Sequence, residues 1–274
     1  MTREAAMDAT VRRPVVKLTG RSRVQAEDAL AVERPLQIRV DDHDVAVTLR
    51  TPGHDRELAL GFLAAERVID RAAQVVAVRE SAAACADEPD RVEIALAPEV
   101  RFDWSRLERH FAATAACGLC GRAHLEALRA GLDRVSSGPP LPLGRMLSLA
   151  ERLRQRQVAF EATGGLHAAA LCDAGLEPLV LREDVGRHNA VDKVCGWWLE
   201  CGGERAAALL WVSGRAGAEL VLKAARARVP VMAAVGAPSA LAVELAEAAG
   251  ITLVGFLRGD RCNVYTGAQR LAET

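Results

Sequence analysis

Cys117-Gly118-Leu119-Cys120 is the segment of this chain whose residue types and spacing lend themselves most directly to chemistry. Two thiols three positions apart can share a metal ion, close a disulfide, or pass a sulfur atom between them. Ala115, Ala116 and Gly121 flank the pair, and small residues give it a mobile setting. A structural zinc site needs about four ligands, commonly as two close pairs. The other cysteines, Cys85, Cys172, Cys195, Cys201 and Cys262, form no second pair, and His124 is the one nearby residue that can add a ligand. A thioredoxin-like pair follows a strand and opens a helix early in a βαβ unit. Here the pair precedes the proline-rich break Ser136-Ser137-Gly138-Pro139-Pro140. Two unrelated structural cysteines are the remaining alternative.

Sulfur transfer fits the pair better without excluding those readings. A thiolate at Cys117 or Cys120 attacks the terminal sulfur of a donor persulfide, becomes a persulfide itself and releases the donor thiolate. The second thiol then attacks the carrier sulfur, expels hydrosulfide and leaves a disulfide. If Arg122 opens a helix, its charge and the helix dipole favour the thiolate.

These thiols need elements to hold them. Residues 1–30 read as a polar, weakly ordered lead-in. Leu36, Ile38 and Val40, then Val45, Val47 and Leu49, alternate with polar residues and predict a β-hairpin. Leu58, Phe62, Ala65 and Ile69 recur at helical spacing after Thr51-Pro52-Gly53. With strands near 75–78 and 92–96 they make a small α+β domain over 31–112. Residues 113–142 read as a linker carrying the CxxC loop. From 143 to 274 helices are expected at 145–157, 187–201, 218–228 and 239–249. Strands are expected at 166–171, 178–181, 208–212, 230–235 and 251–257. That order predicts an α/β domain, a mixed sheet with helices on both faces. In such folds sites collect at the carboxyl ends of strands and the starts of helices.

The chain has 274 residues, half of them hydrophobic, enough to bury a sizeable core. Its 35 basic and 36 acidic residues leave a net charge of -1, which argues against a protein built to coat nucleic acid or an anionic membrane. The N-terminus has no continuous apolar stretch of the signal-peptide kind, and no apolar run approaches the ~18 residues of a membrane span. An odd number of mostly isolated cysteines suits a cytoplasmic protein without a disulfide framework.

From about Glu33 to Thr266 the chain resembles the formate dehydrogenase accessory sulfurtransferases, the FdhD family. The resemblance is carried by Arg50-Thr51-Pro52-Gly53 with Glu57-Leu58-Ala59-Leu60-Gly61-Phe62-Leu63, then by Cys117-Gly118-Leu119-Cys120-Gly121. It continues through Thr163-Gly164-Gly165-Leu166-His167-Ala168-Ala169, Arg182-Glu183-Asp184-Val185-Gly186-Arg187-His188-Asn189-Ala190-Val191-Asp192-Lys193 and Ser213-Gly214-Arg215. It ends with Phe256-Leu257-Arg258-Gly259-Asp260-Arg261-Cys262-Asn263-Val264-Tyr265. The resemblance implies a cytoplasmic sulfurtransferase. Such a protein takes persulfide sulfur from a cysteine desulfurase and passes it to the molybdenum cofactor, as bis-molybdopterin guanine dinucleotide, for formate dehydrogenase. The family's thiols map onto Cys117, as persulfide carrier, and Cys120. Its cofactor-binding stretch maps onto Phe256, Leu257, Arg258, Gly259, Asp260 and Arg261.

The family's larger domain is similar to the cytidine deaminase fold. Zinc deaminases need HxE and PCxxC at two helix starts. Here these positions read His188-Asn189-Ala190 and Ser213-Gly214-Arg215-Ala216-Gly217, so both the general-base carboxylate and the cysteine ligands are missing. The same helix starts suit a dinucleotide: N–H groups near Gly186 and Gly214 can take phosphate, and Arg187 and Arg215 can add bidentate contacts. His188 and Asn189 join this expected cofactor set. Alternatively these charges cap helices and solvate the surface. Asp184 and Asp192 either bind guanine or ribose or pair with arginine. His167 reads as a satisfied core histidine, and Trp197 and Trp198 as packing or a dimer surface. A homodimer is the expected assembly. A non-catalytic molybdenum-cofactor chaperone and a zinc-stabilised interaction module are the competing functions.

Overall fold

The computed structural model describes residues 9–85, 88–104, 132–136, 138–201 and 207–273. The CxxC pair lies outside the described residues. The alternating segments at 36–49 form β3 (Arg34–Val40) and β4 (His43–Arg50). With β5 (Val75–Ser81) and β6 (Asp90–Leu96) they make a four-stranded sheet in the order β4-β3-β6-β5. Leu36, Ile38, Val40, Val92 and Ile94 point to one face, as a two-residue period requires, and are covered by Leu58, Leu60 and Leu63 of α1 (Asp55–Ala65).

The second sheet has six strands. β8 (His167–Cys172) and β9 (Pro178–Asp184) form a hairpin; β10 (Leu209–Val212), β11 (Val231–Ala234) and β12 (Thr252–Arg258) run parallel; β13 (Arg261–Thr266) closes the edge. The order is β13-β12-β11-β10-β8-β9. One face is covered by α4 (Arg187–Glu200), α5 (Ala218–Arg226) and α6 (Ala240–Ala249), through residues such as Val194, Leu220 and Leu245. The other takes Met146, Leu149 and Leu153 of α2 (Leu143–Arg154). The mixed sheet with helices on both faces is as expected. Gly250 ends α6 at φ +73°, the left-handed cap that glycine supplies without strain.

Three segments depart from expectation. Within the lead-in, Thr10–Thr19 (β1) and Ser22–Ala31 (β2) form a hairpin. Its two-residue turn begins at Gly20 with φ +59°. Charged and apolar residues share both of its faces, so no one-sided alternation marks it in the sequence. Second, the end of the expected linker is docked. Val135 is buried in the large core, Asp133 holds Arg67 and Arg226, and β7 (Leu141–Pro142) pairs with β14 (Leu271–Ala272). Third, α3 (Val158–Thr163) is a single short helix that helical periodicity cannot reveal.

The small sheet is bound to the large one through α1. Arg182 of β9 donates to both carboxylate oxygens of Glu57 on α1 at 2.6 Å, and both side chains are largely buried. Burial alone pushes the Glu57 carboxyl up, but hydrogen bonds and charge from His54 and Arg182 outweigh it and hold the group below its ordinary 4.5. Asp90, beneath Arg50 and Arg34, behaves the same way: burial raises it, while the Ala83 N–H and the two guanidinium groups bring it below 3.8. Carboxyls depressed in the folded state add stability above their ordinary values and lose it as pH falls through the lowered ones. Unfolding free energy is therefore expected to drop as pH falls below 4.5. Urea titrations at a series of acid pH values should show a shallower drop for Glu57→Gln than for the parent chain.

Candidate functional site

The carboxyl ends of β9, β10 and β12 converge on one edge of the large sheet. Arg187 opens α4 after β9, Arg215 follows β10, and Arg258 ends β12. All three are exposed, as is Arg261 at the start of β13. Arg187, Arg215 and Arg261 have no carboxylate partner among the described residues, and Arg258 donates only to the Val235 carbonyl, at 3.3 Å. Four guanidinium groups that form no ion pair among the described residues, with only Glu219 and Asp260 as nearby carboxylates on that edge, make a cationic rim, suited to phosphate or carboxylate.

Beneath the rim is a cavity of about 620 Å³ between α2, α3 and the strand ends. Its polar lining includes Arg154, Gln157, His167, Ser213 and Arg258, and its apolar lining Phe160, Leu257 and Trp211. A second hollow of about 300 Å³ on the far side of Arg258 is lined by Phe256, Arg261 and Asn263. Arg258 thus belongs to both. Phe256 is exposed and holds φ +53°, an uncommon conformation for a bulky residue, at an irregularity in the β12–β13 ladder. Gly259, at φ +57°, makes the turn that with Asp260 brings Arg258 opposite Arg261. Leu257 is buried in the core and forms part of the cavity wall.

The cavity wall is fixed from behind. Glu183 of β9 is buried and accepts the N–H groups of Ala159 (3.1 Å) and Phe160 (2.7 Å) at the start of α3; burial pushes its carboxyl up. The Arg154 guanidinium lies 4.4 Å over the Phe160 ring. Trp211 is 1% exposed, and its indole N–H finds no acceptor among the described residues. An unsatisfied buried donor costs roughly 1–3 kcal/mol.

His167 is not the satisfied core histidine expected. It stands half-buried at the start of β8 on the cavity wall, against Gly214, where an added Cβ would lie 3.4 Å from its Nδ1. Burial first, then the charges of Arg187 and His188, hold its pKa below 6.5, so it is neutral at pH 7.

The expected cofactor set divides. Phe256, Leu257, Arg258 and Gly259 lie on or beside the cavities; Gly214, Arg215, Arg187, Asp260 and Arg261 lie on the same edge. Asn189 is instead occupied within the fold: its amide donates to the Leu49 carbonyl (2.8 Å) and to Asp184 (3.1 Å). His188 lies with its Nε2 2.9 Å from a carboxylate oxygen of Glu219 of α5, at hydrogen-bond distance. The Gly186 N–H, expected to face phosphate, already donates to Asp184 at 2.8 Å. Asp184 and Asp192 pair with lysines rather than arginines. Lys193 reaches Asp184 at 2.7 Å in full burial and also donates to the Thr51 carbonyl, while Lys223 holds Asp192. Sequence reasoning missed Trp211 and the Arg154–Phe160 stack. A lone indole in the aliphatic run Leu209-Leu210-Trp211-Val212 is the signal that was available.

The scaffold and its rim define the class: an α/β protein built on a four-stranded and a six-stranded sheet, with a cationic edge over an open cavity. Comparison with known proteins narrows it. The chain matches the FdhD/NarQ family over residues 31–272. It is 48% identical over 266 residues to the sulfur carrier protein FdhD of Nocardia farcinica, covering 96% of this chain and 95% of that one. It is 45% identical to the sulfur carrier protein FdhD of Mycobacterium tuberculosis, covering 96% and 99%. A crystal structure from Desulfotalea psychrophila, described as a formate dehydrogenase accessory protein, superposes with a TM-score of 0.75 at 23% identity, covering 96% of this chain and all of that one. The chain belongs to the FdhD/NarQ family. None of its described helices is long and apolar enough to cross a membrane.

Proposed function

We propose that this chain is a sulfurtransferase of the cytoplasm that carries persulfide sulfur from a cysteine desulfurase to the molybdenum cofactor, bis-molybdopterin guanine dinucleotide, for formate dehydrogenase. Cys117 carries the sulfur. Its thiolate attacks the terminal sulfur of the donor persulfide, and the donor leaves as its thiolate. Cys120 then attacks the Cys117 sulfur, hydrosulfide departs to the acceptor, and the resulting disulfide is reset by a thiol reductant. The cofactor is the acceptor, and what the described residues supply is its binding. Arg258 and Arg261, with Arg187 and Arg215 along the same edge, neutralise pyrophosphate. Phe256 offers an exposed ring for a flat heterocycle. Neutral His167, half-buried on the cavity wall, can meet a polar edge there.

The observation that carries the reading is that a member of this family, with a CxxC pair in its sequence, has an edge of arginines that form no ion pair among the described residues, above a cavity lined by His167, Ser213 and Arg258. Two measurements test it. After incubation with a cysteine desulfurase and cysteine, the peptide spanning Cys117 and Cys120 should gain one sulfur atom by mass spectrometry and lose it to reductant. Guanosine diphosphate should bind in calorimetry, and Arg258→Gln should weaken it by about tenfold, as loss of a charged hydrogen bond predicts. No sulfur gain from any donor, or equal nucleotide binding by both chains, overturns the proposal.

A further inference from the structure

The cavity under the rim differs in character between its two ends. Arg258 stands at the strand end. At the α2 end stands Glu151, the only carboxylate among the described residues that line the cavity. Arg154 lies one helical turn further on, but its charge is matched by Glu161 at 2.7 Å and its guanidinium rests on the Phe160 ring.

Glu151 is not consumed by the fold. It is exposed, forms no ion pair among the described residues, and accepts one hydrogen bond, from the Gln155 amide to Oε1 at 3.2 Å. Oε2 accepts none among the described residues. Gln157, between α2 and α3, is 3% exposed and lines the same cavity. Its amide donates to the Leu153 carbonyl at a long 3.4 Å, which leaves it a second N–H. The two side chains thus offer a pair of carboxylate oxygens and an amide N–H, a pattern that fits a ligand edge carrying two donors and an acceptor.

Guanine and pterin share such an edge: an exocyclic amine, a ring N–H and a carbonyl in a row. Adenine does not. Its ring nitrogen is an acceptor, and against a carboxylate it would set lone pair to lone pair. We propose, resting on the cofactor reading of the same cavity, that Glu151 is the residue that selects an amino-lactam heterocycle, guanine or pterin, over adenine. Glu151 takes the amine and the ring N–H, and Gln157 donates to the carbonyl. The paired and stacked Arg154 supplies a flat surface rather than a free charge. Arg258 is left for phosphate. Because it borders both hollows, a pyrophosphate held there can send one heterocycle toward Glu151 and another toward the exposed Phe256.

Calorimetry on the full chain with guanosine, inosine and adenosine diphosphates and with hydroxymethylpterin diphosphate tests this. The parent chain should bind the guanosine or the pterin compound about tenfold or more tightly than adenosine diphosphate. Inosine diphosphate, which lacks the amine, should fall between. Glu151→Gln, at an exposed position where the fold is expected to be kept, should weaken the favoured ligand by about tenfold. It should leave adenosine diphosphate unchanged or improved, since glutamine offers the donor and acceptor that adenine matches. Whichever of guanosine and pterin diphosphate loses more to Glu151→Gln is the heterocycle read at this end. Equal binding of all four ligands by the parent chain, or an equal change in all four on Glu151→Gln, overturns the selectivity and leaves the sulfur-transfer reading standing. A parent chain that binds none of the four overturns the cofactor reading with it.

Discussion

Replacing Cys117 with alanine is expected to reduce activation of a partner formate dehydrogenase to background and to abolish the sulfur gain on the 117–120 peptide. The expectation follows from the chemistry of the step. Only a thiolate has both the nucleophilicity to take the terminal sulfur of a persulfide and the capacity to hold it as a reducible S–S bond. Alanine removes both without adding bulk. Cys120→Ala separates the roles of the pair. With Cys117 intact, loading proceeds. Without a second thiol to expel hydrosulfide, the persulfide persists, so mass spectrometry should find more carried sulfur than on the parent chain while activation falls. A third outcome is decisive in the other direction: a Cys117→Ala chain that still activates formate dehydrogenase fully would make this protein a cofactor chaperone whose thiols are dispensable. Two of the described cysteines are poor substitutes. Burial drives Cys172 and Cys195 up to about 12, so neither is a thiolate near neutral pH.

The scaffold that serves these thiols was legible wherever one face of an element is apolar and the other is not. Leu36, Ile38 and Val40 announced β3, and Met146, Ala150 and Leu153 announced α2, because burial on one side imposes the period. The parallel strands β10 and β11 were legible as short, wholly apolar runs. Legibility failed where burial is not one-sided. The β1–β2 ribbon is exposed on both faces, and α3 has too few residues to display a period. At the site, the arginines of the rim could be placed from their positions after strands. What could not be read was competition for side-chain groups. Asn189, Asp184 and Asp192 are committed to Leu49, Lys193 and Lys223, partners distant in sequence that only the fold brings near. His167 was misjudged for a related reason. Its apolar neighbours in sequence, Ala168 and Ala169, are buried, yet the strand begins at a cavity and its first residue faces that space.

Alanine at Gly196 or at Gly61 should be among the most damaging single-methyl changes in the scaffold. Gly61 of α1 and Gly196 of α4 meet where the two helices cross. A Cβ added at Gly196 would lie 1.9 Å from the Glu57 carbonyl oxygen and 2.8 Å from the Gly61 nitrogen; one at Gly61 would lie 1.9 Å from the Asp192 carbonyl oxygen. These obstacles are main-chain atoms, which cannot rotate aside as a side chain can, so the helices must separate. A glycine inside a helix costs about 1 kcal/mol relative to alanine, and two such glycines are retained here at the closest approach of the small sheet's helix to the large one. Separation would strain the Glu57–Arg182 ion pair and the Thr51–Asp184 contact, which bridge the same interface. The cost is expected to reach about 3 kcal/mol or more, the upper range for overpacking. Gly165→Ala, whose new Cβ would find its nearest atom at an ordinary 3.7 Å, should stay within about 0.5 kcal/mol of the parent. Because both glycines relieve one contact, the Gly61→Ala, Gly196→Ala double variant should lose less than the sum of the two. Urea unfolding at pH 7 measures all four. A Gly196→Ala chain as stable as the parent would mean that the helices do not approach this closely. The effect reaches function through α4: its first residues, Arg187 and His188, stand on the cationic edge, so a helix displaced by a methyl group carries the rim with it and should weaken nucleotide binding even in molecules that remain folded.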